Sequence, residues 1–194
     1  MKSRIVLSVL FVLMAATAFA AEATVTQSDA QKPVAQSDAQ KSFTTLKTLA
    51  GSWAGRLTTV PPEPSVEGKP TQVSLRSTSM GNALIHEMRI AGRPDDPITM
   101  LYLDGDRLLL THYCDAGNRP RMVGKMSPDG KTVEFDFVDV SGGTNKGHMD
   151  HAVFTIIDVN HHTEDWTYML PGDTPVRGHF DLQRILDGSA GSGN

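Results

Sequence analysis

Seven histidines and one cysteine are the residues of this 194-residue chain with the widest chemical reach. His148-Met-Asp-His151 and His161-His162 are the tight histidine pairs. A zinc site needs three or four ligands converging from fixed elements. On an extended chain residues 148 and 151 point to opposite faces, and 161–162 read as a turn. Both pairs therefore read as solvated turn histidines, and no metal ligand set is assigned. No His-Glu-x-x-His, phosphate loop, Gly-x-Ser-x-Gly or Cys-x-x-Cys-His occurs. Cys114 stands alone, which excludes an internal disulfide and a cysteine-cluster metal site. His112 could serve it as a base, but two residues along one strand face are about 7 Å apart. The thiol reads as a small buried residue, and no catalytic residue is assigned.

A different polar set gathers on inward faces. Val73 to Ile90 folds about Gly81-Asn82 into a hairpin, with Met80 opposite Ala83. One face then carries Val73, Leu75, Ser77, Leu84, His86, Met88 and Ile90; the other pairs Arg76 with Glu87. A second hairpin turns at Asp104-Gly105-Asp106 and, with a two-residue loop, aligns Thr99, Leu101, Leu103, Leu108, Leu110, His112 and Cys114. A four-residue loop, 115–118, sets His112 opposite Arg121 on the same inner face. His86, Met88, His112, Arg121, Phe135 and Trp166 are thus the candidate ligand-binding residues. Leu84, Leu101, Leu110, Phe137 and Tyr168 complete an apolar wall. Arg121 cannot shed its charge and needs an anion beside it. A ligand carboxylate, or Asp139, fills that role.

The elements that must position these residues are strands. From Ser42 to Arg184 the apolar pattern has period two, broken by turn signals such as Ser127-Pro-Asp-Gly130. The one helical candidate is Ser42 to Ala50, with Ser42 as N-cap and Phe43, Leu46 and Leu49 on one face. Nine or ten antiparallel strands, joined by consecutive hairpins, make an all-β, up-and-down barrel. Closure removes the exposed edges that a sandwich keeps.

Residues 1–20 read as a secretory signal: Lys2 and Arg4, an apolar run of ten, and Ala18-Phe-Ala20 before the cut. The run is too short to span a bilayer, so no membrane anchor is expected. The expectation is an exported protein, periplasmic or extracellular. Residues 21–41 read as disordered linker with the duplicated Gln-Ser-Asp-Ala-Gln-Lys, 42–186 as the barrel, and 187–194 as a disordered tail. Loss of Lys2 and Arg4 moves the net charge from −4 to −6, which argues against nucleic acid as a partner.

Leu46-Lys-Thr-Leu-Ala-Gly51-Ser-Trp53-Ala-Gly55 resembles the opening of calycin-type barrels, a short helix and then Gly-x-Trp on the first strand. In lipocalins and their relatives this Trp plugs one end and packs on a basic residue of the last strand. The resemblance gives those structural roles to Trp53 and Arg184. Thr111 to Met122 is similar to stretches in uncharacterised secreted bacterial proteins, which implies a fold and no activity. Nitrobindin-like barrels bind haem through a histidine on a late strand. His179 is the nearest counterpart, although its alternation with Phe180 and Leu182 points it outward.

Three functions stay open. The first is a non-enzymatic barrel for a small, largely apolar or amphipathic ligand, with no cofactor. The second is a haem or metal barrel using His86, His112 or His179. The third is a small enzyme with His112 as acid–base, assisted by Cys114 or Tyr113.

Overall fold

The computed structural model describes residues 35–185. The segments expected to be signal and tail, and most of the expected linker, lie outside the described residues. Among these residues one helix, α1 (Asp38–Lys47), precedes ten strands: β1 (Gly51–Val60), β2 (Pro70–Thr78), β3 (Ala83–Ile90), β4 (Ile98–Asp104), β5 (Arg107–Tyr113), β6 (Arg119–Met126), β7 (Thr132–Ser141), β8 (His148–Asp158), β9 (His161–Leu170) and β10 (Thr174–Arg184). Each strand pairs with its sequence neighbours, and β1 pairs with β10 to close the barrel. The all-β, up-and-down barrel expected from the periodicity is the observed fold.

The helix begins at Asp38, four residues before the expected start at Ser42. Its cap is Ser37, which accepts from the Gln40 backbone while the Gln40 side chain accepts from the Ser37 N–H. This capping box satisfies two donors that a helix start leaves orphaned. Ser42 is instead buried on the inner side, its hydroxyl donating to the Asp38 carbonyl. Phe43, Leu46 and Leu49 seal one end of the barrel, here the helix end.

Three hairpin registers place the inward residues. In β2–β3 the partners are Thr78 and Ala83, not Met80 and Ala83, because Ser79–Gly81 form a 3₁₀ turn. The shift is by two residues, so the faces survive while Arg76 meets Ile85 and Ser74 takes Glu87. In β4–β5 the two-residue loop stands as expected, with Asp104 opposite Arg107. In β5–β6 the loop is one residue shorter than expected: the Cys114 N–H donates to the Asn118 carbonyl, and Thr111 opposes Arg121. Asn118 is buried and its amide donates to the Gly143 and Gly147 carbonyls, which pins the turn. A shift of one reverses every side chain, so Arg121 faces out.

Candidate functional site

The helix end is full. Leu84, Leu101, Leu108, Leu110, Met122, Val133 and Phe135 are all 0% exposed there. Trp53 closes it: the indole Nε1–H donates to the Leu49 carbonyl at 2.8 Å, and the Arg184 guanidinium lies 4.1 Å from the ring centroid. Trp53 and Arg184 are direct partners in the β1–β10 ladder. Arg184 also donates to the Val159, Ala50 and Thr48 carbonyls, so the guanidinium fastens the helix exit to the barrel. The Gly-x-Trp glycine has a local cause. Gly51 has φ 139°, and a Cβ there would run into Arg184 Nη1.

Above the plug runs a column of buried polar side chains. His162 meets the Trp53 ring edge-on, with centroids 4.2 Å apart. Its Nε2 lies 3.0 Å from Glu164 Oε1. Glu164 Oε2 takes His86 Nε2, reaching across the lumen, at 2.9 Å and the Trp166 indole N–H at 3.0 Å. Glu164 is fully buried. Burial alone would raise its pKa, but the His86 charge and the hydrogen bonds from His162 and His86 outweigh that and hold the carboxyl well below its usual range. It is therefore a carboxylate with three donors, the condition under which a buried charge is tolerated. The Nδ1 atoms of His86 and His162 are buried and make no hydrogen bond among the described residues.

The column ends at the floor of a cavity of about 470 Å³ that opens at the other end of the barrel. His86, Met88, His112 and Trp166 line it together with Leu57, Val66 and Phe180. His112 Nδ1 and Thr99 Oγ1 are 2.8 Å apart. Burial, and then the charge of His86, push the His112 pKa down to about 4, so the imidazole is neutral near pH 7. Arg93 and Lys146 stand at the mouth, where Arg93 pairs with Asp95 and Asp115.

Four of the six candidate ligand residues thus meet in one place. Phe135 does not: it is packed against Phe154 in the filled half, 5.9 Å between centroids. Arg121 does not either. It is exposed on the outer surface and forms a bidentate pair with Asp139. A bulge between Arg121 and Met122 carries β7 past the parity of Phe135, which turns Asp139 outward to meet it. An inward anion site at Arg121 is excluded by that pairing.

The remaining histidines also find places. His162, expected in a turn, is fully buried in β9, while His161 pairs with Asp181 outside. His179 is exposed and bonded to Asp165 at 2.7 Å, so it cannot reach the lumen. His148 sits beside Phe137 and His151 bonds Glu134, so that pair does not converge. On the outer face Glu134, Asp136 and His151 have ligand atoms within 4.8 Å of one another. Lys125 Nζ already supplies a cation there, 2.8 Å from Asp136. Cys114 lies at the cavity mouth with its thiol pushed up to about 11, chiefly by burial, and so stays protonated at neutral pH.

Glu164 and His162 escaped the sequence reading. The signal was present: both share the parity of Trp166, one and two strand repeats upstream of an inward aromatic.

Fold and site together define a ten-stranded antiparallel β-barrel, plugged at one end and hollow at the other. No family model matches the chain, and no curated protein matches it in sequence. Solved structures do match. Rv2717c from M. tuberculosis is 16% identical with a TM-score of 0.53, over 75% of this chain and 98% of that one. A protein with unknown function from the DUF3598 family, from Nostoc punctiforme, is 11% identical with a TM-score of 0.52. That match covers 72% of this chain and 49% of that one, so the chain spans about half of that protein's length. At these identities the likeness shows the fold alone.

Proposed function

We propose that this is an exported, calycin-like barrel that binds a small, largely apolar ligand in the cavity at its open end, without catalysis. The observation that carries the reading is the contrast inside one barrel. One half is packed to zero exposure, while the other keeps about 470 Å³ free behind walls of Leu57, Val66, Met88, Trp166 and Phe180. Apolar walls with one or two polar atoms at the base are the usual make-up of a small-molecule site. Native mass spectrometry of freshly purified protein should show a co-purifying small mass. Met88→Trp, which fills the cavity, should weaken a fluorescent long-chain probe at least tenfold, about 1.4 kcal/mol. Equal affinity in parent and variant would remove the cavity as the site.

A second reading, haem held through His112, has one observation behind it. Of His86, His112 and His179, the last lies outside the lumen and His86 is held by Glu164 with its free Nδ1 fully buried, which leaves His112 in the cavity wall with Nε2 that no described residue engages. A Soret band after hemin addition that disappears in His112→Phe would favour this reading; no band beyond free haem would end it.

A further inference from the structure

Thr99 and His112 are opposite each other across the β4–β5 hairpin, and both are buried, at 1% and 6% exposure. Only one proton can lie between Thr99 Oγ1 and His112 Nδ1. Among the described residues the Thr99 hydroxyl has no other hydrogen-bond partner. Were Nδ1 the donor, the hydroxyl proton would be buried without an acceptor, at a cost of about 1–3 kcal/mol. With the hydroxyl donating, its proton is satisfied at Nδ1, and the neutral imidazole carries its own proton on Nε2. Thr99 ties Nδ1 to the barrel wall, so Nε2 lies on the lumen side of the ring, where no described residue bonds it.

We propose that Thr99 fixes His112 as a single N–H donor at the cavity floor, and that the ligand's polar group is a neutral hydrogen-bond acceptor, the carbonyl of a ketone or ester. The assignment rests on the ligand-binding reading and deepens it. A carboxylate is disfavoured because the His112 imidazole is uncharged and His86, the other histidine of the cavity wall, is already held by the Glu164 carboxylate. The cavity's basic residues, Arg93 and Lys146, are at the mouth and not at the floor. An anion at the floor would be desolvated with no unpaired cation among the described residues to meet it.

Two measurements test this, and they fail separately. Long-range proton–nitrogen NMR of the ligand-free protein reads the tautomer directly: a pyridine-type Nδ1 and a pyrrole-type Nε2 are expected for His112. A pyrrole-type Nδ1 would overturn the proposal even if ligands bind. Binding of a long-chain methyl ketone, the matched carboxylate and the matched alkane then reads the acceptor. The ketone should bind at least tenfold tighter than either partner. His112→Phe should erase that advantage while leaving the alkane unchanged, and Thr99→Val should reduce it. A carboxylate that binds tightest, or a ketone no better than the alkane, overturns the acceptor assignment. Failure of all three probes, with the Nε2–H tautomer present, overturns the ligand reading and the acceptor with it.

Discussion

The two ends of this barrel are built from the same alternating strands and solve opposite problems. At the helix end large aliphatic and aromatic side chains fill the interior, and Trp53 with Arg184 closes the floor. At the open end the inward residues stand around a space they do not fill. The buried column of His162, Glu164 and His86 separates them. Stability therefore concentrates at one end and binding capacity at the other, and substitutions should sort by end.

The largest effect belongs to the plug. Trp53→Ala should cost about 3–5 kcal/mol in denaturant unfolding, as for a fully packed indole. Arg184→Ala should be non-additive with it, since the guanidinium stacks on that ring. Purely additive losses would mean that the stack carries no energy of its own. Ligand affinity of whatever folds should be unchanged, because neither residue lines the cavity.

The column should answer to acid. Below pH 6.5 an unfolded chain takes up a proton on His112 that the folded protein refuses until about pH 4. Stability is thus fully present above 6.5 and falls through that window, by about 3 kcal/mol in all. Glu164, held below its usual range, adds a loss that starts as the pH drops under its ordinary value of 4.5. Urea midpoints taken from pH 7 to pH 4 should decline for the parent and less steeply for His112→Gln. Parallel declines would place the acid sensitivity elsewhere.

The smallest effect makes the contrast sharpest. A methyl group added at Gly124 would sit 2.6 Å from the Phe135 ring and 2.9 Å from Leu108, so Gly124→Ala should destabilise by about 1–3 kcal/mol. Met88→Trp adds far more volume at the hollow end and should leave the unfolding midpoint nearly where it was. If both cost the same, the cavity is not free space.

The plan of the barrel was legible from period two and turn residues, and Trp53 was legible as a Gly-x-Trp signal. The sequence reading failed wherever a single residue decided parity. Arg121 was assigned inward on a four-residue loop, and the buried Asn118 amide shortens that loop by one. Asp139 followed Phe135 in alternation until a bulge that nothing in Val138 or Asp139 announces. Glu164 was passed over because an acidic residue in a strand is usually solvated. Parity with Trp166 marks it as inward, but His86, the partner that makes its burial tolerable, lies about eighty residues away in sequence. The helix start was readable after all: Ser37-Asp-Ala-Gln40 is a capping box hidden inside what looked like a repeat.

The strand order carries a kinetic consequence. Every ladder but one joins neighbours along the chain, and only the β1–β10 seam brings together segments from opposite ends of the sequence. The chain entropy of making that seam is the largest single closure term in the fold, and long-range pairings of this kind slow folding. Trp53 sits in the seam against Arg184, whereas Trp166 sits in the β8–β9 hairpin, whose strands are adjacent in sequence. The two tryptophans are therefore clocks for different events. In a refolding experiment on single-tryptophan variants, Trp166 emission should settle with hairpin formation, and Trp53 emission only when the ring shuts.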